Sequence, residues 1–128
     1  MTAVSGEPEV DQVEEIKLTL PALVDYARVA RLAVTGLASR MGFSYDEIED
    51  LRIAVGEVCS VLLDGSGGRL ELRCTLTDGA LALETTRLPT GPPLQISDLT
   101  RQILLAVVDE ADIDQDRAQV RVVKRRQG

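Results

Sequence analysis

The sequence predicts an α+β fold, a two-layer α/β sandwich in which about three helices cover one face of a mixed, mostly antiparallel sheet. Two observations lead to this prediction. Apolar and polar residues alternate in four short segments, as in half-buried strands, and apolar residues recur every three or four positions in three longer segments, as in amphipathic helices. The order is strand, two helices, hairpin, helix and strand, which suggests helices layered on a sheet.

The chain from residue 15 to residue 41 predicts one strand followed by one helix. Residues 15–20 alternate between apolar and polar side chains, so we expect a half-buried strand. Pro21 ends this strand and is well placed to open a helix. The predicted helix runs from Ala22 to about Met41, with Leu23 as the first residue of its apolar stripe, and Gly42 is a natural stop.

A second helix and a β-hairpin follow. Ser44 and Glu47 fit a capping box, which satisfies free backbone amides at the start of a helix. The segment from 64 to 68, rich in glycine, ends that helix. Alternation resumes over residues 69–76, and Asp78-Gly79 predicts a hairpin turn before the next strand.

The last third of the chain predicts a helix and a final strand. Ser97 is expected to cap the third helix, with Leu99 on its inward stripe. An acidic connection, which could hold a short strand near Ile113, leads to the last strand at residues 118–122. The basic residues 124–126 are expected to form a frayed, solvated terminus.

Length and composition limit the class of protein. The 128 residues allow one domain, with residues 1–13 expected as a flexible acidic arm and residues 14–128 as the folded unit. The chain has no His and only two Cys. Histidine is the usual general base and the commonest metal ligand, so zinc hydrolases and His-dependent triads are excluded within one chain.

Charge and hydropathy limit the partners. A net charge of −7 and only three aromatic residues argue against direct nucleic-acid binding. No segment approaches the roughly 20 apolar residues of a membrane span, and the N-terminus lacks signal-peptide features. Cys59 and Cys74 are expected to be buried free thiols. We therefore expect a cytoplasmic protein that contacts neither membrane nor nucleic acid.

Glu57 is the only charged residue between Ile53 and Leu63. A carboxylate in that setting lies either on the solvent-facing side of the helix or in a cleft. The helical spacing alone favours the solvent-facing side.

The segment ASRMGFSYDEIEDLRIAVGEVC, residues 38–59, resembles the anti-sigma factor serine/threonine kinases of the RsbW type, which belong to the GHKL (Bergerat-fold) ATPase superfamily. The resemblance is specific over about residues 22–63, and the remaining elements agree in order but not in motifs. It implies a histidine-kinase-like ATPase domain over residues 14–128.

In that family a Glu on the second helix is the general base for a target serine, and an Asn four residues later binds the magnesium that bridges the ATP phosphates. Glu57 matches the base, but Val61 occupies the Asn position. An aliphatic side chain offers no oxygen to Mg²⁺, which requires oxygen ligands. The resemblance therefore implies a vestigial catalytic residue and no bound metal.

The other nucleotide motifs of the family are also missing. Residues 83–93, LETTRLPTGPP, replace an Asp-x-Gly-x-Gly loop with a segment that has no Asp and three prolines. The entry to the third helix lacks the glycines of the family's lid, and Asp98 there would repel phosphate. The glycines between 65 and 68 fit a plain turn. ATP and Mg²⁺ are therefore expected to be lost as cofactors.

The resemblance implies an anti-sigma regulatory factor that sequesters an alternative sigma factor, an anti-sigma antagonist, or both, often as a homodimer. Arg28 and Arg31 on the first helix are candidate anchors for carboxylates of a partner, although any amphipathic helix carries a charged face. Two alternatives stay open. One is an active kinase that uses Glu57 as base and Asp64 as an unusual magnesium ligand, and the other is a scaffold that dimerises with an intact relative.

Overall fold

The computed structural model describes residues 13–127, so most of the predicted acidic arm lies outside the described residues. Five strands form one sheet in the order β1-β2-β3-β5-β4, and every pairing in it is antiparallel. The strands are β1 (Glu14–Pro21), β2 (Arg69–Thr77), β3 (Ala80–Leu88), β4 (Glu110–Asp114) and β5 (Gln119–Arg125). The helices are α1 (Ala27–Arg40), α2 (Tyr45–Leu62) and α3 (Asp98–Val107). The predicted α+β class is confirmed.

The core lies between the sheet and the helices. Strands β2 and β3 bury alternate residues, so one face of the sheet is apolar and the other is polar. Helix α2 packs against both α1 and α3 and contacts β3 and β5. Its fully buried residues form one stripe along the helix: Leu51, Ala54, Val55, Val58 and Leu62.

Helix α1 begins five residues later than the sequence predicts. Pro21 is the last residue of β1, where it lies opposite Arg69, and it does not open the helix. Ala22 then donates its backbone N–H to the carbonyl of Gly68, at 2.9 Å, which holds the chain beside β2. A short 3-10 turn over Val24–Tyr26 precedes the helix. The prediction that Leu23 faces the core is therefore wrong, and its side chain is exposed.

Helix α3 differs from the prediction at one position. Ser97 caps the helix as expected, accepting a hydrogen bond from the backbone N–H of Thr100. Leu104 is buried, but Leu99 is 65% exposed, so its predicted inward orientation is wrong. Leu99 follows the cap by only two residues, and Leu94 in the preceding loop is buried instead.

The start of α2 is tied to the C-terminus of the chain. The predicted capping box is present, since the Ser44 backbone N–H donates to Glu47 Oε1 at 2.7 Å and Ser44 Oγ accepts from the Glu47 backbone N–H at 3.1 Å. The other oxygen of Glu47 accepts the backbone N–H of Gln127 at 2.6 Å. Arg126 donates to the Met41 carbonyl at 2.8 Å, and Lys124 pairs with an α2 carboxylate. The predicted frayed terminus is therefore wrong.

Replacing Glu47 by Ala is expected to lower the free energy of unfolding by about 1–2 kcal/mol, because it removes the capping box and the contact with the terminus together. Hydrogen bonds from the backbone amides of Ser44 and Gln127 lower the pKa of Glu47 below its ordinary value of 4.5. The ionised carboxylate therefore stabilises the folded state above pH 4.5, and this contribution is lost as the pH falls through the lower folded pKa.

Urea unfolding of the wild type and of Glu47→Ala at several pH values checks this expectation. The difference between the two proteins should be largest near neutral pH and should shrink below pH 4.5. The exposed neighbour Asp46 also lies in the first turn of α2, so Asp46→Ala controls for the helix dipole. The account would be contradicted if Asp46→Ala lowered the free energy of unfolding as much as Glu47→Ala. It would also be contradicted if the difference between the wild type and Glu47→Ala did not change with pH.

Candidate functional site

Glu57 lies in the second half of α2 and its side chain is half-buried. Within residues 13–127 its carboxylate forms neither a hydrogen bond nor an ion pair, and only its backbone carbonyl is engaged, by Ser60. Val61, one turn later, packs against the hydrophobic core. The side chain at the position of the family's magnesium ligand therefore contributes to apolar packing.

Arg87 is the residue of this region that sequence reasoning missed. It lies near the end of β3 and its side chain is fully buried. One terminal nitrogen, Nη1, is 2.7 Å from Asp64 Oδ2, just beyond α2. The other, Nη2, donates to the carbonyls of Thr90 at 2.6 Å and Pro92 at 3.1 Å. The guanidinium therefore bridges the end of α2 and the loop that follows β3.

The alternation of residues along β3 could have identified Arg87 as a buried residue from the sequence. Leu81, Leu83 and Thr85 alternate on the inward face of β3, and Arg87 is the next residue with the same parity. A charged residue at an inward position requires a partner, because burying an unpaired charge costs several kcal/mol. The partner, Asp64, is 23 residues away in the chain, so local patterns do not reveal it.

The two oxygens of Asp64 are both engaged. Oδ1 accepts the backbone N–H of Ser66 at 3.0 Å, while Oδ2 holds Arg87. Hydrogen bonds from Ser66, together with the charge of Arg87, lower the pKa of Asp64 below its ordinary value of 3.8. Asp64 is therefore ionised at neutral pH and committed to Arg87, which leaves it poorly suited as a magnesium ligand.

The loop between β3 and α3 presents carbonyl oxygens to the guanidinium. The backbones of Leu94 and Gln115 are hydrogen-bonded at 3.0 Å, and the Gln115 side chain donates back to the Leu94 carbonyl at 2.9 Å. A side chain at Gly91 would lie 3.2 Å from Arg87 Nη2, so the loop closes tightly over the guanidinium. Phosphate oxygens are hydrogen-bond acceptors and bind donors or cations, whereas the carbonyls of Thr90 and Pro92 are acceptors that take up the donors of Arg87.

The fit of these residues to Mg-ATP can be judged from their chemistry. Val61 supplies no oxygen, the carboxylate of Asp64 is held by Arg87, and the loop after β3 directs carbonyl oxygens at the same guanidinium. In the part of the chain that the structure describes, no group of three or more His, Cys, Asp or Glu side chains is arranged to hold a metal ion. The residues present do not fit the nucleotide and metal of the intact family.

Arg28 and Arg31 line one surface depression of about 460 Å³ together with Val24, Asp25 and Ala27. Arg28 is exposed and Arg31 is half-buried, and neither forms an ion pair with a described residue. Large apolar side chains with high exposure lie in the same part of the chain: Leu23, Val24, Val29 and Leu32. The structure thus brings the two candidate anchors together in one depression near exposed apolar side chains, and it does not pair either of them with Glu57.

Both cysteines are free and buried, as predicted. Burial raises the pKa of the Cys59 thiol to about 11, against the opposing charge of Arg31, and burial raises that of Cys74 to about 11. Thiols with such pKa values are protonated at neutral pH and unreactive. None of the helices between residues 13 and 127 is both long enough and apolar enough to cross a membrane.

The fold and the site define a two-layer α+β domain whose second helix carries a half-exposed acid. The sequence is similar to the serine-protein kinase RsbW of Halalkalibacterium halodurans, 39% identical over 80 residues, which are 60% of this chain and 49% of that protein. It is also similar to the serine-protein kinase RsbW of Bacillus thuringiensis, 43% identical over 51 residues, which are 40% of this chain and 32% of that protein. No family model matches the sequence.

A solved structure has the same fold. It contains the RsbU and RsbW domains of a Mycobacterium tuberculosis protein and superposes with a TM-score of 0.67 at 19% identity, covering 89% of this chain and 32% of the other. The similarity to proteins named RsbW agrees with the resemblance identified in the sequence, and the solved structure confirms the fold that this resemblance implies. Its matched region spans about half of the first relative and about a third of the second.

Proposed function

We propose that the chain is an anti-sigma regulatory module that binds and sequesters an alternative sigma factor, an anti-sigma antagonist, or both, without ATP-dependent kinase activity. It would act in the cytoplasm, where sigma factors meet RNA polymerase. The observation that carries this proposal is the buried guanidinium of Arg87, which joins Asp64 to the carbonyls of Thr90 and Pro92.

The guanidinium of Arg87 occupies a position that opposes nucleotide binding. In intact members of the family the nucleotide motifs lie on the second helix and in the loop after the second hairpin strand, and Arg87 spans the corresponding two segments here. Opening the space would require the guanidinium to leave a carboxylate and two carbonyls while buried, which is costly. A site closed in this way supports a binding role over phosphoryl transfer.

The surface around Arg28 and Arg31 supports the same proposal. An arginine without an internal ion pair can bind a carboxylate of a partner in a bidentate manner, and exposed apolar residues around it supply contact area. The combination is typical of a protein–protein interface, in which arginine anchors are surrounded by contacts that exclude water.

An active serine kinase is the second candidate. The relatives are named serine-protein kinases, and the half-exposed carboxylate of Glu57 has no partner among residues 13–127, so it is accessible to a substrate hydroxyl. The engagement of Asp64 with Arg87 weighs against the metal site that this alternative requires.

Capture of partners from the native cell tests the proposal. Tagged wild type and Glu57→Ala are used as baits in extracts with ATP present or enzymatically removed, and bound proteins are identified by mass spectrometry. A sigma factor or an antagonist domain should be enriched equally in all four samples. Loss of the partner on ATP removal, or phosphorylation of it by the wild type and not by Glu57→Ala, would favour the kinase instead. Recovery of an intact RsbW relative alone would indicate a scaffold.

A further inference from the structure

Strand β4 lies at the edge of the sheet and its outer side is open. It pairs with β5 on one side, and no strand among residues 13–127 pairs with the other side. Apart from the ladder with β5, no hydrogen bond from the described part of the chain reaches the backbone of residues 110–114. An unpaired edge presents backbone N–H and C=O groups that can pair with another chain. Strand β4 contains no proline, so its backbone can accept one more strand.

The apolar face of β4 borders a groove beside helix α3. Ala111 and Ile113 lie opposite the buried residues Val122 and Val120 of β5, which places them on the face that packs against the helices. The groove has a volume of about 70 Å³ and is lined by Arg101, Leu104, Leu105, Ala111 and Ile113. Leu105 is 65% exposed and Ile113 is only partly buried. An apolar side chain of an added strand would therefore cover surface that now faces water.

The polar face of β4 carries three carboxylates, those of Glu110, Asp112 and Asp114. Glu110 and Asp114 pair with arginines, whereas Asp112 is exposed and forms no ion pair with any residue that the structure describes. The arginines that bind Glu110 lie on β5. An added strand would lie about 5 Å from β4 and about 10 Å from β5. Its side chains on this face would therefore meet the carboxylates first.

These charges decide which chain can occupy the edge. A second copy paired antiparallel along β4 would place carboxylate opposite carboxylate in every register that keeps the faces together, and like charges in that arrangement are destabilising. Residues 1–12 contain three acidic residues and neither lysine nor arginine, so the same repulsion acts against them. A strand with basic residues on its polar face is attracted instead. Arg101 beside the groove disfavours basic residues on the other face.

We propose that β4 is a docking edge for an extended segment of another protein, in which lysine or arginine alternates with apolar residues. The backbone of this segment pairs with β4, its basic side chains face the three carboxylates, and its apolar side chains cover Leu105 and Ile113. The groove beside α3 shares no lining residue with the depression around Arg28 and Arg31. Docking at β4 is therefore separate from the binding proposed for α1.

Titration of the isotope-labelled chain with a blocked peptide, Lys-Ile-Lys-Ile-Lys, tests the proposal by nuclear magnetic resonance at low salt. Saturable chemical-shift changes are expected at residues 110–114 and 101–105. Asp112→Lys should weaken binding at least about 10-fold, because it replaces an attraction by a repulsion. Glu71→Lys is the matched control, since Glu71 is exposed on β2, which is paired on both sides. It makes the same change in net charge and should alter the affinity less than about 2-fold.

Two methylated peptides separate strand pairing from electrostatic attraction. The N–H groups of successive residues in a strand point to opposite edges, so methylation of the isoleucine amides blocks one edge and methylation of the lysine amides blocks the other. One peptide should lose at least about 10-fold in affinity and the other should bind as the parent does. Equal binding or equal loss for the two peptides would overturn the proposal.

Three further results would also overturn the proposal. Equal weakening by Asp112→Lys and Glu71→Lys would show that net charge alone attracts the peptide. The absence of saturable changes at residues 110–114 would mean that the carboxylates only keep the edge from pairing. Signals of these residues that shift on dilution of the free chain would place a second copy at the edge. None of these outcomes depends on the binding of a sigma factor or of ATP.

Discussion

Replacing Arg87 by Ala is expected to lower the free energy of unfolding by about 3 kcal/mol or more. The substitution leaves Asp64 without its counter-charge and removes the donor that satisfies the carbonyls of Thr90 and Pro92. It also empties a fully buried site that the guanidinium now fills. Urea unfolding followed by circular dichroism measures the loss, with the m-value checking that the transition remains two-state.

Two further variants show whether the stabilisation by Arg87 depends on its charge alone or also on the geometry of its guanidinium group. Arg87→Lys keeps the charge but cannot donate to Asp64 and two carbonyls from a planar fork, so it should recover only part of the lost stability. Arg117→Ala removes an exposed arginine that pairs with Asp114, and it should change the free energy of unfolding by less than about 0.5 kcal/mol. An Arg87→Ala protein as stable as Arg117→Ala would show that the buried network contributes little.

Reversing the charge of both Arg28 and Arg31 to Glu is expected to weaken binding of the captured partner by about 100-fold or more. The reason is that, in the proposed complex, two carboxylates would take the place of the two arginines that bind carboxylates of the partner. Because neither arginine forms an ion pair with a described residue, the folded state should lose little stability. Titration of the purified partner measures the affinity.

A matched control separates the effect of losing the two arginines at this site from the effect of changing the net charge. Arg101 and Arg117 are exposed and lie outside the depression around Arg28 and Arg31, so Arg101→Glu/Arg117→Glu makes the same change in charge elsewhere. It should reduce the affinity only slightly. Equal weakening by the two double variants would point to general electrostatic repulsion and against an anchor at α1.

Local patterns in the sequence predict much of the fold. Alternation identifies β1, β2, β3 and β5, and the Asp78-Gly79 turn sets the hairpin, because these signals act over a few residues. The capping box at Ser44 is likewise complete within four residues. The start of α1 is harder to predict, because the Gly68 carbonyl that binds Ala22 lies far along the chain.

The candidate site is also predictable only in part, because some of its features depend on single positions and others on contacts between distant residues. The absence of a magnesium ligand at Val61 can be read from one position, and so can the acid at Glu57. The link from Arg87 to Asp64, and that from Gln127 to Glu47, join residues 23 and 80 positions apart. Such contacts depend on how the elements pack, so neither periodicity nor a resemblance limited to α1 and α2 reveals them.

Isothermal titration of the wild-type chain with Mg-ATP tests the central claim most directly, which is that the space between α2 and the loop after β3 is closed to a triphosphate. An RsbW relative from Halalkalibacterium halodurans serves as the positive control. We predict no saturable heat for this chain at nucleotide concentrations up to about 1 mM, a range that excludes a free energy of binding stronger than about −4 kcal/mol. Saturable binding in the micromolar range would contradict the account.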